Sequence, residues 1–187
     1  LRPSSLSRTL ALAAPAVGLA VHRAEAAFDT FIKFDNINGE SIDKLHPSWC
    51  QALSFSFGFD NPAIIGGTGS GSSGHPTAKP IFIRKLIDKA SPQLFLRSAM
   101  GEPLPTVTLE LAKITSTTAP VVFYKIVLTN AFVTSVSTTG NTGSDVAPTE
   151  TIELNYEKIS IIYSATDAKG GVTPQPEVTW NFAENTK

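Results

Sequence analysis

The sequence predicts a mainly β protein of about eight or more strands, closed as a small barrel or packed as a sandwich, with one short α-helix and one long Gly-rich loop. Three observations carry this. Period-two alternation of apolar and polar residues recurs from Phe28 to Phe182. Only one segment, residues 91–100, has both a start and a stop signal for a helix. Residues 61–80 are poor in apolar residues and rich in Gly, Ser and Pro.

The first strand is expected at residues 27–34, where Phe28, Thr30, Ile32 and Phe34 share one face and Asp29 and Lys33 the other. Phe31 falls on the polar side, which implies that both faces are partly covered. Residues 36–44, with Asn38-Gly39, read as a turn and short loop. The clearest alternation follows, with Leu53, Phe55, Phe57 and Phe59 set against Ser54, Ser56, Gly58 and Asp60. A buried ring contributes on the order of 2 kcal/mol, so Phe55, Phe57 and Phe59, with Trp180 near the end, are the expected core anchors.

After the Gly-rich loop, residues 81–86 resume a strand. Ser91 as N-cap, Pro92 at the first helical position and Gly101 as stop mark the helix. The rest reads as strands. Val107, Leu109 and Leu111 alternate with Thr and Glu, residues 121–130 are β-branched and aromatic, and Phe132, Thr134, Val136 and Thr138 share one parity. In residues 149–165 the apolar parity changes from Ile152, Leu154 and Tyr156 to Ile159, Ile161 and Tyr163, which predicts a bulge or bend around Glu157-Lys158. Val178, Trp180 and Phe182 close the series.

Composition narrows the function classes. The chain of 187 residues is 42% hydrophobic and 17% charged, which suits one folded domain. With 15 Lys plus Arg against 16 Asp plus Glu it lacks the positive surplus that nucleic acid rewards, and no membrane insertion of the folded domain is expected. The lone Cys50 has no disulfide partner within the chain and reads as a buried thiol.

Residues 1–26 differ from the rest. Arg2 and Arg8 precede an apolar run at 10–21, and Ala24-Glu25-Ala26 supplies small residues where a signal peptidase cuts, so Ala24 and Ala26 are the cleavage candidates. The run is too short to span a bilayer. Translated sequence upstream of the true start, or a soluble helix, meets the same residues, and the folded domain is placed at 27–187 in every case. Without Arg2, Arg8, Arg23 and Glu25 the remainder carries a mild negative charge.

Chemistry-bearing patterns fail on context, and no catalytic, cofactor-binding or metal site is assigned. Gly69, Gly71 and Gly74 complete a GxGxxG, but His75, Pro76 and Pro80 oppose the helix that would cradle a pyrophosphate. His46 stands within reach of Asp43 and His75 sits in a Pro-containing loop, yet neither accompanies a GxSxG elbow or an HExxH, so solvated or loop-bracing histidines are expected. Glu40, Glu102, Glu110 and Glu153 are scattered. Trp49, Phe55, Phe57 and Trp180 could line a ligand pocket, although filling a barrel core is the commoner use.

The succession of segments resembles the Hcp family, the haemolysin-coregulated proteins of bacterial type VI secretion systems. The matching stretches are Phe31-Ile32-Lys33, Gly39-Glu40-Ser41, residues 53–58, the Gly-rich loop, residues 84–94, 124–131 and 133–137, then 150–163 and Trp180-Asn181-Phe182. The resemblance implies a β-barrel flanked by a short helix that assembles into hexameric rings, stacked as a hollow tube beneath a spike protein and inside a contractile sheath, with effector proteins in the lumen. It implies no enzyme activity and no cofactor. It makes residues 61–80 the contact between rings, with Asn61, Ile64, Ile65, Gly66, Gly67, Gly69, Gly71, Gly74 and His75 as the stacking residues. Family members are ejected from the cytoplasm by the contractile machine, so the leader is a departure: secretion is expected either way, routed through the periplasm if the leader is used and from the cytoplasm if it is not. A second reading is an exported monomeric β-barrel that binds a small apolar ligand or peptide.

Overall fold

A computed structural model describes residues 28–62, 64–65, 71–72, 74–114, 120–143, 147–167 and 171–187. The leader, with Ala24 and Ala26, and Gly66, Gly67 and Gly69 of the Gly-rich segment lie outside the described residues. Among the described residues twelve strands and one helix follow in order: β1 (Phe28–Phe34), β2 (Cys50–Ser56), β3 (Phe59–Asp60), β4 (Ile64–Ile65), β5 (Gly71–Ser72), β6 (Thr77–Ala78), β7 (Ile81–Leu86), α1 (Ser91–Met100), β8 (Leu104–Ile114), β9 (Pro120–Thr139), β10 (Thr149–Thr166), β11 (Val172–Pro174) and β12 (Val178–Asn181).

Six strands close on themselves. The order β10-β7-β2-β1-β8-β9 returns to β10 through a β9–β10 ladder, and every pairing is antiparallel. Closure leaves these strands no free edge within the barrel. The C-terminal half of β10 leaves β7 behind and pairs instead with β12, from Lys158↔Asn181 to Ile161↔Val178, and then with β11. The interior is filled by Ile32, Phe34, Ile83, Val107, Ile126, Leu128, Ile152 and Leu154, all at most 3% exposed. A void of only about 10 Å³ remains among them. The barrel interior therefore holds side chains rather than a ligand, and the internal aromatic pocket of the second reading is not found there.

The expected core anchors need correction. Cys50 and Ala52 point inward, a register shift against β7 between Ala52 and Ser54 resets the parity, and Leu53 at that bulge is left 54% exposed. Phe55 and Phe57 then pack only partly buried against the core, as does Trp180, and Phe59 is 60% exposed because its strand has already left the barrel. The anchors are the aliphatic side chains and Phe34 instead.

The described parts of residues 59–78 pair as short strands. β3 pairs with β6 (Phe59↔Ala78, Asp60↔Thr77) and β4 with β5 (Ile64↔Ser72, Ile65↔Gly71), so the β2–β7 hairpin continues outward as an arm. Ladder hydrogen bonds come from the main chain, which Gly and Ser supply as well as any residue. At its base Lys79 pairs with Asp60 at 2.8 Å, and its N–H donates to the Gly58 carbonyl at 2.9 Å.

In β10 the buried parity changes between Tyr156 and Ile159, opposite Asn130, whose φ of 51° is left-handed. The register shift itself lies earlier, between Glu153 and Leu154. The Asn38-Gly39 stretch turns for a different reason from the one expected. Positive φ falls on Asn36, while Gly39 is required by close approach: a Cβ there would meet the Trp49 carbonyl oxygen at 2.3 Å. Residues 37–49 fold over the outer face of β1, which buries Phe31. No helix of the described residues is long and apolar enough to cross a membrane.

Candidate assembly surfaces and the polar networks behind them

The helix α1 is amphipathic in the unusual sense. Gly101 ends it at φ 65°, with its N–H and that of Glu102 returning to the carbonyls of Ser98 and Arg97. Of its apolar residues only Leu94 is buried, while Phe95 is 65%, Leu96 47% and Met100 56% exposed. At 100° per residue Pro92, Phe95, Leu96, Ala99 and Met100 share one arc, and all five are exposed. An exposed apolar stripe of this kind is characteristic of association surfaces.

Leu94 and Ala90 seat the helix in the apolar core, and a polar cluster ties down its N-terminal end. Ser91 does not cap it; the N-cap position is Ala90, whose backbone is already helical. The Ser91 hydroxyl instead donates to Glu150 Oε1 at 2.7 Å and accepts from the Asp88 N–H at 3.0 Å. Lys85, fully buried on the inward parity of β7, donates to Asp88 Oδ1 at 2.6 Å, to the Leu86 carbonyl at 2.9 Å and towards Ser91 at 3.4 Å, and pairs with Glu150 at 2.8 Å. Burial works against the charge on Lys85, yet the bonds from Asp88 and Glu150 outweigh it and hold the ammonium above its ordinary range. Beside this cluster, burial first and then the Asp88 carboxylate push the Cys50 thiol up to about 12, against the opposing influence of Lys85.

A second network pins residues 37–49. His46 is fully buried, stacked on Phe31 (centroids 4.1 Å apart) and edge-on to Trp49. Its Nδ1 lies 2.8 Å from Asp43 Oδ1 and its Nε2 3.0 Å from Glu110 Oε2, while Lys125 from β9 meets the other Glu110 oxygen at 3.0 Å. Burial tends to raise the Asp43 carboxyl, but the His46 side chain and the N–H groups of Leu45 and His46 hold it below the usual range. His46 is thus a loop brace. His75 is exposed on the arm and is not part of this network.

Where β12 displaces β7 beside β10, the arm base and β12 diverge and leave an open groove of about 320 Å³. Phe57, Phe59, Tyr156, Ile161, Val178 and Trp180 are among its walls, and burial raises the Tyr156 hydroxyl to about 12. Trp180 Nε1 is buried with no hydrogen-bond partner among the described residues. Of the expected stacking residues, Asn61 is exposed on the groove margin, Gly74 packs against Pro62, and Ile64, Ile65 and Gly71 lie in the paired strands of the arm. Lys85 and Glu150 were not singled out from sequence, although each continues an inward parity, Ile81-Ile83-Lys85 and Glu150-Ile152-Leu154.

The class defined by this geometry is a closed antiparallel β-barrel with a packed interior, a projecting hairpin arm and its apolar surplus turned outward. Residues 31–163 match the family model described as type VI secretion system effector, Hcp. Protein hcp1 of Pseudomonas aeruginosa is 30% identical over 160 residues, covering 85% of this chain and 98% of that protein. A solved type six secretion system protein superposes with a TM-score of 0.79 at 28% identity, over 86% of this chain and 99% of its own. Hcp1 from Salmonella typhimurium gives 0.67 at 27% identity, over 86% and 98%. The chain belongs to the Hcp family of type VI secretion systems.

Proposed function

We propose that the chain is a structural subunit, without catalytic activity, that assembles with copies of itself into rings and that the rings stack into a hollow tube able to carry effector proteins. The observation that carries this reading is the direction of the apolar surface. The barrel interior is full, while Phe95, Leu96 and Met100 on α1 and Phe59 and Val178 beside the groove stand outward. Membership of the Hcp family supports this reading; in it a spike protein, a contractile sheath and effectors are the further partners and secretion is the destination. Within the subunit, residues 61–80 serve as the contact between rings, and residues 27–187 are the assembling unit. Light scattering and electron microscopy on residues 27–187 test the reading. Ring-sized oligomers are expected at high concentration, and a strict monomer with no rings counts against it.

A further inference from the structure

We infer that the groove beside β12 is the seat of the chain's own residues 10–21, which plug the end of the barrel from which β1 departs for as long as the leader is retained. The docking goes beyond the assembly reading; only its consequence for assembly rests on that reading. Three observations converge on this occupant. First, the two ends of the barrel differ. Where β1 and β7 finish and β8 begins, α1 sets Ala90 and Leu94 into the core, both 0% exposed. Among the described residues the opposite end, where β1 begins and β2 finishes, has no such cap. Phe28 continues the inward parity of Thr30, Ile32 and Phe34, which are at most 5% exposed, yet is itself 53% exposed. The apolar groove of about 320 Å³ opens at this end, between Phe57 at the foot of the arm and Trp180 on β12.

Second, the chain enters the fold at the same end. Thr30 pairs with Ala52, so Phe28 lies level with the stretch of β2 that runs on into Phe57, on the order of 10 Å away at about 3.3 Å per residue. Residues 22–27 join the apolar run to Phe28 and span up to about 20 Å when extended. A tether this short holds the run at the groove at an effective concentration on the order of millimolar, far above that of a second copy in dilute solution.

Third, size and charge agree. A cavity of about 150 Å³ accepts one benzene, so the groove takes roughly a dozen carbon atoms, the side chains of about three leucines. Residues 10–21 offer Leu10, Leu12, Val17, Leu19 and Val21, with Ala, Pro and Gly between them. The run is flanked by Arg2, Arg8 and Arg23 against Glu25; the 15 Lys plus Arg and 16 Asp plus Glu of the whole chain, less these four, leave 12 basic and 15 acidic side chains, so leader and domain attract. Phe59 and Val178, 60% and 68% exposed, flank the groove, and a seated run covers apolar surface that assembly uses. Retained, the leader keeps subunits apart; removed, it frees that surface.

The test keeps residues 1–26 on the chain and combines Leu19→Cys with Val178→Cys under mild oxidation of dilute protein; Cys50 is buried and stays out of reach. A disulfide within one chain is expected, read by intact mass and by loss of both free thiols. Leu19→Cys combined with Phe95→Cys, at the capped end, is expected to give only background. Leu12→Asp with Leu19→Asp in the full chain unseats the run without altering the barrel and is expected to lower the concentration needed for ring formation by at least about tenfold. Closure between two chains hands the groove to a second copy and overturns the inference, as does equal closure with Phe95→Cys. If no disulfide forms and the Asp variant assembles like the parent, the seat is wrong and the assembly reading stands. If the disulfide forms within one chain and neither protein assembles, the seat stands and the assembly reading falls.

Discussion

At the scale of single residues, the two buried networks do different things to stability. Removing one member of a buried ion pair leaves the other charge without compensation, at a cost of about 3–5 kcal/mol. Lys85→Met is therefore expected to lower the unfolding free energy by about that much, because Glu150 is 2% exposed and loses its cation. Adding Glu150→Gln is expected to restore part of the loss. Urea unfolding measures both, and a single variant within about 1 kcal/mol of the parent would contradict the role given to the pair. Asp43 acts through pH instead. Its folded-state pKa is lowered, so its contribution is present above the unfolded value of about 3.9 and is lost as pH falls through the folded value. Asp43→Asn is expected to melt below the parent at pH 6, with the gap closing as pH approaches 3. A gap of constant size would argue against the His46 bracket.

The same residues explain what could be read in advance. Asp43 near His46 was visible as a short-range pairing in sequence. Glu110 was named as one of several scattered carboxylates, because nothing in a linear sequence brings position 110 to position 46; the β1–β8 ladder does that by pairing Phe31 with Glu110. Lys85 and Glu150 were hidden by their charge. Each follows the inward parity of its strand, and the parity was the better guide than the residue type.

At the scale of elements, the helix and the alternating strands were legible because 3.6-residue and two-residue periods are local properties. The arm was not, because each of its strands is two residues long, too short for a two-residue period to register. β2 was half legible: the alternation is real, yet one extra residue at Leu53 moved the phenylalanines partly out of the core. The arm carries its own prediction. Deleting residues 64–74 removes two small strands that pair only with each other and leaves the barrel ladders intact, so the melting temperature is expected to stay within a few degrees of the parent. Stacking between rings is expected to weaken while the ring persists, read by sedimentation and microscopy. Loss of folding would overturn the arm's assignment as an assembly element.

At the scale of the whole molecule, barrel closure depends on pairs that no local pattern announces: β1 with β8 and β7 with β10. The chain could be read as many strands needing to protect their edges, but not as six that close with two more appended to β10. That closure also sets an order of events. Paired residues lie 73 to 85 positions apart in β1 and β8 and 63 to 73 in β7 and β10, and folds dominated by such pairs form on the order of milliseconds to seconds once the chain is complete. At ribosomal speed, however, β10 emerges on the order of ten seconds after β1. Until then the inward faces of β1, β2 and β7 have no barrel to enter. The strand that closes the fold is made late, so for most of its synthesis the chain cannot close its barrel.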